Sequence, residues 1–199
     1  MDTADGRLAQ QFQFLLEIDR LKCIERQNIL ADSSRRENSA EHSWHLAVFA
    51  LILAEYSVHS SAIDLFRVVK MLLIHDIVEI DAGDAFLHDP EAEKLQAQKE
   101  ASAANRIFSL LPQDQKNEFI ELWKEFEEGQ TAEALFARAL DRIQPTLLHE
   151  ATGAVVWAKY GATQQQILDK VEVVKQSTPG LWPKVLAIIQ HAKAEGKLT

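Results

Sequence analysis

The chain has 199 residues, of which 47% are hydrophobic and 26% are charged, so it can bury the core of one globular domain and is neither disordered nor collagen-like. Its formal net charge of -9 at pH 7 repels nucleic acid and anionic membranes, and we expect neither as a partner. The single cysteine, Cys23, excludes an intrachain disulfide and is expected to be a small buried side chain. With an N-terminus unlike a signal peptide and no apolar stretch of membrane-spanning length, this composition predicts a cytoplasmic protein.

Helical periodicity runs through the chain, and glycine and proline number only 7 and 5, which favours long helices. In chain order, the predicted helices cover about 8–22, 39–56, 65–73, 90–110, 112–127, 134–149, 163–176 and 179–194. Side chains that suit helix N-caps precede five of them, at Asn38, Asp64, Asp89, Thr131 and Thr163. No short segment alternates apolar and polar residues, so we predict no strands, and the stretch 25–38 is expected to be a polar connection. The predicted fold class is all-α.

Ionisable side chains follow the apolar third helix within ten residues. His75 and Asp76 come first, and Glu79, Asp81 and Asp84 follow them. A histidine and four acids beside an apolar helix are costly, because desolvation and like charges disfavour their ionised forms unless a cation compensates. The alternatives are a solvated helix end or, for the histidine alone, an ordinary core residue.

Two further polar residues interrupt apolar helices elsewhere in the chain. His42 lies one turn into the most apolar helix, and Asp141 is embedded among apolar neighbours of the sixth predicted helix. With His75 and Asp76 they supply two imidazoles and two carboxylates from three helices. This mixed set suits a divalent transition metal and leaves coordination positions open for water and substrate.

The order of His42, then His75 and Asp76, then Asp141 resembles the H…HD…D signature of the HD-domain superfamily of metal-dependent phosphohydrolases. The segments RRENSAEHS at 35–43 and HDIVEIDAGD at 75–84 are similar to the branch that contains the bacterial 5′-deoxynucleotidase and the eukaryotic HD-domain-containing protein 2. The resemblance covers about residues 12–150. It implies a single HD-domain helical bundle over 1–199, with the C-terminal helices at 163–195 packed on that core.

The resemblance also implies roles for individual residues. His42, His75, Asp76 and Asp141 would hold a first divalent cation, which is cobalt, manganese, zinc, iron or nickel in such sites. Glu79 matches the catalytic glutamate, and Glu79 with Asp84 would hold a second ion such as magnesium. Arg26 matches the arginine that contacts the substrate phosphate. One departure is Gln27, since the bacterial deoxynucleotidase has tryptophan there, so base and sugar preference do not carry over. Relatives are commonly homodimers, which implies the same assembly here.

Hydrolysis of a nucleoside or deoxynucleoside 5′-monophosphate is the leading functional hypothesis, and three alternatives are weaker. A di-iron oxygenase needs extra histidines between the HD pair and the last aspartate, where this chain has only His88. A guanosine tetraphosphate hydrolase carries HD-x-x-E-D, whereas Ile80 follows Glu79 here. A regulatory module with a degenerate metal site would lack a ligand, and all four positions are filled by competent residues.

Other polar and aromatic residues carry less functional weight. Arg35 and Arg36 are alternative phosphate-binding cations or a solvated loop pair, and His45 is either a partner of the metal ligands or a core histidine. The remaining histidines are expected at the surface or in loops: His59, His88, His149 and His191. The tryptophans are expected in the core: Trp44, Trp123, Trp157 and Trp182.

Overall fold

The computed structural model describes residues 4–84 and 90–199, except for the side chains of 90–93. The described chain is dominated by helices, which confirms the predicted all-α class. These helices are α1 (Ala4–Ile18), α2 (Ser39–Leu53), α3 (Leu65–Ile74), α4 (Glu79–Ala82), α5 (Pro90–Phe108), α6 (Gln113–Glu128), α7 (Ala132–Ala151), α8 (Val155–Lys159), α9 (Gln164–Lys170), α10 (Glu172–Ser177) and α11 (Trp182–Ala194). Short 3-10 turns follow α1, α2 and α3 at Asp19–Cys23, Ala54–Tyr56 and His75–Val78. None of the described helices is long and apolar enough to cross a membrane.

Side-chain caps start four of these helices at the predicted residues. In each case the side-chain oxygen accepts a backbone N–H from the first turn, which satisfies a donor that the helix itself leaves unpaired. The four caps are Asn38, Asp64, Thr131 and Thr163. Asn38 and Thr163 are parts of complete capping boxes with Glu41 and Gln166. The fifth predicted cap, Asp89, lies outside the described residues.

A small antiparallel hairpin corrects the prediction that the chain has no strands. Strands β1 (Glu25–Ile29) and β2 (Arg36–Asn38) pair with Glu25 opposite Asn38 and Ile29 opposite Arg36. The stretch 25–38 is therefore a hairpin rather than an irregular connection. Its strands are polar and too short to show the alternation that identifies a half-buried strand, so sequence periodicity could not detect them.

Two differences in the C-terminal part also have local causes. The predicted helix over 163–176 is interrupted at Val171, which separates α9 from α10. Helix α8 was not predicted, because five residues are too few to show a helical period.

Helix α7 is the central element of the bundle. It packs against α2, α3, α6, α10 and α11, and its buried side chains include Phe136 and Leu140. Pro145 lies inside this helix, and since proline has no N–H, the carbonyl of Asp141 lacks its usual helical donor. The C-terminal helices α10 and α11 thus rest on the same helix that carries Asp141.

Three burial predictions were wrong. Cys23 is exposed at the end of its 3-10 turn, and Trp44 is 63% exposed on the outer side of α2. His149 is buried with 5% of its surface exposed, and its ring packs on Trp157 with the ring centroids 4.1 Å apart. Trp123 and Trp157 are buried as predicted.

Candidate metal centre

The fold brings the four predicted metal ligands together from three elements. α2 carries His42, the 3-10 turn after α3 carries His75 and Asp76, and α7 carries Asp141. Potential ligand atoms of His42, His75 and Asp76 all lie within 4.8 Å of one another. Asp141 Oδ1 is 3.0 Å from His42 Nε2 and 3.8 Å from His75 Nε2. All four residues are buried.

Both histidines are oriented through their Nδ1 atoms. His75 Nδ1 lies 3.0 Å from the carbonyl oxygen of Leu72, and His42 Nδ1 lies 3.1 Å from Gln144 Oε1. Both partners are acceptors, so each Nδ1 donates, and this places the lone pair of each neutral ring on Nε2. The two Nε2 atoms face carboxylates, at 3.0 Å from Asp141 Oδ1 for His42 and 3.1 Å from Asp76 Oδ1 for His75.

The pKa values of these ligands show that the cluster favours positive charge. Burial lowers the pKa of His75, but the charges of Asp76 and Asp141 outweigh it and raise that pKa to about 9. Burial and Arg26 also lower the pKa of His42, yet contacts with Asp141 and Glu37 leave it raised. Burial raises the pKa of Asp141, and the charge of Arg142 with the two histidines holds it well below its usual range.

Glu79 and Asp84 border the same cavity as His75, Asp76 and Asp141. This cavity has a volume of about 210 Å³ and is also lined by Arg26 and Arg142. Glu79 begins α4, and its Oε2 accepts a 2.5 Å hydrogen bond from Ser39 Oγ. Burial first, and then the charge of Asp76, raise the pKa of Glu79 well above its usual value. Burial likewise raises the pKa of Asp84.

Arg26 projects from β1 into this group of acids. Its Nη1 donates to Asp76 Oδ2 at 2.7 Å and lies 3.6 Å from Glu79 Oε1. Burial lowers its pKa, but the charges of Asp76 and Glu79 raise that pKa above the ordinary value. The structure therefore places a permanent cation at the wall of the cavity, at the residue that the sequence predicted.

Two other arginines differ in whether they reach the cavity. Arg35 makes a bidentate ion pair with Glu41 on the exposed surface, with N–O distances of 2.6 and 2.8 Å. Arg142, which the sequence analysis did not single out, lines the cavity beside Asp141, with Nη1 3.4 Å from Asp141 Oδ2. Arg142 directly follows the predicted ligand Asp141 in the sequence, and this adjacency could have identified Arg142 as a residue of the site.

Comparison with known proteins identifies the family. Residues 18–182 match the HD domain family. The chain belongs to the HD domain family. Human 5′-deoxynucleotidase HDDC2 is 30% identical over 136 residues, which are 68% of this HD-domain chain and 64% of the human protein. The chain thus aligns with just under two thirds of that relative. The 5′-deoxynucleotidase VV1113 of Vibrio vulnificus is 29% identical over 55% of this chain and 59% of that protein.

Solved structures support the same family. A predicted metal-dependent phosphohydrolase from Magnetospirillum magnetotacticum is 45% identical to this HD-domain chain, covers both chains completely and superposes with a TM-score of 0.91. The PH0347 protein of Pyrococcus horikoshii shares the fold. It is 20% identical and superposes with a TM-score of 0.59, and the match covers 90% of this chain and 98% of that protein. The predicted resemblance to metal-dependent phosphohydrolases is confirmed.

The donors of this HD domain fit a divalent metal. His75 Nε2 is buried and makes no hydrogen bond within the described residues, although its lone pair points into the cluster. Opposed imidazole and carboxylate lone pairs repel each other unless protons or a cation lie between them. Two nitrogen and two oxygen donors are a set that transition metals accept, so a divalent ion would satisfy His75 Nε2, which is otherwise unpaired.

Two buried residues that support the cluster were missed by sequence analysis. Gln144 Nε2 donates a hydrogen bond to Glu37 Oε1 at 2.5 Å, while Gln144 Oε1 accepts one from His42 Nδ1. Gln144 and Glu37 are 1% and 2% exposed. His45 Nδ1 lies 3.3 Å from Gln144 Nε2, so His45 adjoins the group that supports the ligands. Gln144 follows Asp141 by three positions on the same helical face, and this spacing could have indicated that it lies near the ligands. Glu37 lies in the short strand that sequence periodicity could not detect.

Two further carboxylates line the cavity of about 210 Å³. Glu100 projects from α5 and Glu127 from α6. Burial is the largest cause of the raised pKa of each. Both lie in charge-rich helical segments, where one buried acid among solvated ones leaves no distinctive pattern.

Proposed function

We propose that this HD-domain chain is a metal-dependent phosphoric monoester hydrolase that converts nucleoside or deoxynucleoside 5′-monophosphates to nucleoside and phosphate. The observation that carries the proposal is the buried convergence of His42, His75, Asp76 and Asp141, the last three of which line one cavity together with Arg26. The relatives named 5′-deoxynucleotidases support the choice of substrate class.

In this proposal, the four converging side chains hold the first cation. Cobalt, manganese, zinc, iron and nickel all suit two imidazoles and two carboxylates. Such a cation would lower the pKa of a coordinated water towards neutrality and would polarise the phosphoryl oxygens. Glu79 and Asp84, as oxygen donors at the same cavity, would hold a second ion such as magnesium.

Glu79 is the proposed catalytic base. Ser39 fixes one of its oxygens through the 2.5 Å hydrogen bond, which leaves the other to accept the proton of the attacking water. The water oxygen forms a bond to phosphorus, the bond from phosphorus to the 5′-oxygen breaks, and the departing oxygen takes the proton that Glu79 accepted and becomes the nucleoside hydroxyl.

Arg26 is the proposed phosphate-binding residue. Negative charge accumulates on the phosphoryl oxygens as the ester bond breaks, and a fixed guanidinium offsets this charge without having to reorganise. Its 2.7 Å bond to Asp76 and its place in β1 hold the guanidinium at the cavity wall.

The substrate assay uses protein stripped of metal by a chelator and resupplied with cobalt, manganese or magnesium. We expect phosphate release from at least one nucleoside 5′-monophosphate only after metal is restored. An absence of metal-dependent turnover across the four ribonucleotides and four deoxynucleotides would favour a regulatory module instead. Oxygen consumption by the iron-loaded protein would favour redox chemistry.

We also propose that the chain acts as a cytoplasmic homodimer without nucleic-acid or membrane partners. The formal charge of -9 and the single cysteine support these expectations. An apolar groove between α1, α2 and α3 supports the dimer, because Leu15, Trp44 and Leu73 line it and are 55%, 63% and 46% exposed. Exposed apolar side chains that adjoin one another are typical of protein interfaces.

A further inference from the structure

A second cavity lies beside the proposed metal centre. It has a volume of about 160 Å³. Arg26, Asp84 and Arg142 line both this cavity and the one lined by His75, Asp76 and Asp141. The two spaces are therefore neighbours with three lining residues in common.

Two sides of the second cavity come from α7 and from β1. Arg142, Thr146 and His149 follow one another at helical spacing and line the cavity from α7. Since Asp141 precedes them directly, one helix supplies both a proposed metal ligand and the wall of the neighbouring cavity. Gln27 and Asn28 line a rim of the cavity from β1.

The apolar part of the lining comes from the C-terminal helices. Trp157 of α8, Ile167 of α9 and Val171 between α9 and α10 border the cavity and are 3 to 5% exposed. The indole of Trp157 packs on the ring of His149. Rigid apolar and aromatic side chains with polar groups around them are the usual lining of small-molecule sites.

The two sides are tied together across the cavity. The hydroxyl of Tyr160, which directly follows α8, donates to Gln27 Oε1 at 2.5 Å, and α8 contacts β1. The rim residue Gln27 is thereby fixed to the C-terminal part of the chain. A preformed cavity costs a ligand less ordering entropy than one that has to assemble on binding.

We propose that the second cavity is the nucleoside-binding subsite and that α8, α9 and α10 determine how the base is bound. The inference rests on the proposed function, since it places the phosphate at the metal centre and the base against Trp157, Ile167 and Val171. A planar base has apolar faces that suit these side chains and polar edges that suit Thr146 and Asn28. A sugar phosphate that lacks a base makes none of these base contacts, so the chain selects nucleotides over smaller phosphate esters.

Two substitutions on different elements that line the cavity test the inference. Val171→Phe adds volume from the C-terminal helices, and Asn28→Trp adds volume from β1. Val155→Phe is the matched control, because Val155 lies on α8, is 45% exposed and does not line the cavity. Calorimetry measures binding of 2′-deoxyadenosine and thymidine without any turnover, and steady-state kinetics compare deoxynucleoside 5′-monophosphates with 2-deoxyribose 5-phosphate.

We expect both cavity substitutions to weaken deoxynucleoside binding and to raise KM for the nucleotides by about tenfold or more, as a steric block of a shaped pocket does. Their kinetics with 2-deoxyribose 5-phosphate and their cobalt affinity should stay within about twofold of the parent, the scatter expected of a remote site. The control should match the parent in every measurement. Circular dichroism checks folding, and Asn28→Trp decides the outcome if Val171→Phe is unfolded.

The results separate this inference from the proposed function. Failure of the parent protein to bind either deoxynucleoside would overturn the subsite, whatever the chain hydrolyses. Binding that is lost in the cavity variants, without hydrolysis of any nucleotide by the parent, would support the subsite and reject the nucleotidase. Folded variants that keep parental binding and KM would overturn the subsite alone.

Discussion

Gln144 shows how a neutral side chain can prepare a metal ligand. Its amide oxygen lies 3.1 Å from His42 Nδ1, and its amide nitrogen donates to Glu37 Oε1. The carboxylate of Glu37 fixes which way the amide faces, and the amide then fixes the ring and tautomer of His42. Groups that orient metal ligands in this way commonly change metal affinity by 10 to 100-fold when removed.

Replacing this amide should therefore weaken metal binding. We expect Gln144→Leu to lower cobalt affinity by about 10 to 100-fold, because His42 Nδ1 loses its acceptor. Gln165→Leu makes the same chemical change at an exposed glutamine of α9 and should have no effect. Calorimetric titration of the metal-free proteins with cobalt measures both, and equal affinities of the two variants would show that Gln144 does not orient the ligand.

Substitutions of Asp76 and Glu79 should have different effects on metal binding and on activity. Asp76→Ala should eliminate both cobalt binding and phosphate release, because a carboxylate ligand disappears. Glu79→Ala should retain the first metal and lose about 10²- to 10⁴-fold in kcat, the usual contribution of a general base. Metal analysis and phosphate release on the same preparations distinguish the two, and parental activity in both variants would refute the assignment of the site.

The proposed ligands were predictable from sequence because each is a polar residue in an apolar context. His42 lies in the first turns of the most apolar helix and Asp141 has apolar neighbours on α7, and burying such groups without a partner is too costly to be incidental. His149 is just as buried but was assigned to the surface, since a single histidine outside any cluster of candidate ligands gives no such signal. Trp44 was placed in the core because hydrophobicity alone does not distinguish a core from an exposed apolar face.

At the scale of elements, the hairpin and the start of α2 together position the centre. β1 carries Arg26, β2 carries Glu37, and Asn38 caps the helix that presents His42 one turn later. Ser39 N also donates to the carbonyl of Ile24 at 2.9 Å, which joins the helix start to the chain before β1. Disorder at the start of α2 would therefore also displace the His42 side chain.

The capping box of α2 should contribute to both stability and metal binding. Asn38→Ala removes the acceptor for Glu41 N, and we expect it to cost about 1 kcal/mol of unfolding free energy. Thr163→Ala removes the equivalent cap of α9, which carries no proposed ligand, and should cost a similar amount. Only Asn38→Ala should also weaken cobalt binding, and a matching decrease in Thr163→Ala would contradict this local coupling.

Helix boundaries were predictable where a cap or a breaker marks them. Gly129, with a positive φ of 60°, closes α6, two residues before Thr131 caps α7, and both positions follow from local chemistry. The hairpin and α8 were not predictable, because tertiary contacts rather than local patterns stabilise them. Tyr160, at the end of α8, bonds to Gln27 of β1 across 133 positions of the sequence, a contact that no local window contains.

At the scale of the whole molecule, the apolar groove predicts a dimer that charge can disrupt. Leu15→Glu combined with Trp44→Glu places two charges where the proposed interface excludes water, so we expect a monomer by light scattering. Leu95→Glu is the matched control, since Leu95 is 55% exposed on α5 and lies outside the residues that line the groove. A monomeric parent, or a double variant that remains dimeric, would refute the interface.

Buried His149 should make stability depend on pH. Burial lowers its pKa from 6.5 to about 4, so the unfolded chain takes up a proton below pH 6.5 while the folded chain resists until about pH 4. The contribution is fully present above pH 6.5 and is lost as the pH falls to 4, by about 3 kcal/mol at most.

Denaturant titrations across this pH range test the prediction. We expect His149→Phe, which keeps an aromatic ring against Trp157, to lose less stability than the parent between pH 6.5 and 4. The difference between the two curves isolates His149 from the other titrating groups. A difference that stays constant with pH would mean that His149 is already protonated in the folded chain.

The central claim is that residues from three parts of the chain share one cation. Anomalous diffraction at the cobalt absorption edge, from crystals of the cobalt-loaded protein, tests it directly. We predict a peak at bonding distance, about 2.0 to 2.3 Å, from His42 Nε2, His75 Nε2 and one oxygen each of Asp76 and Asp141. A fully loaded crystal with no peak among these four side chains, or with cobalt bound elsewhere, would contradict the account.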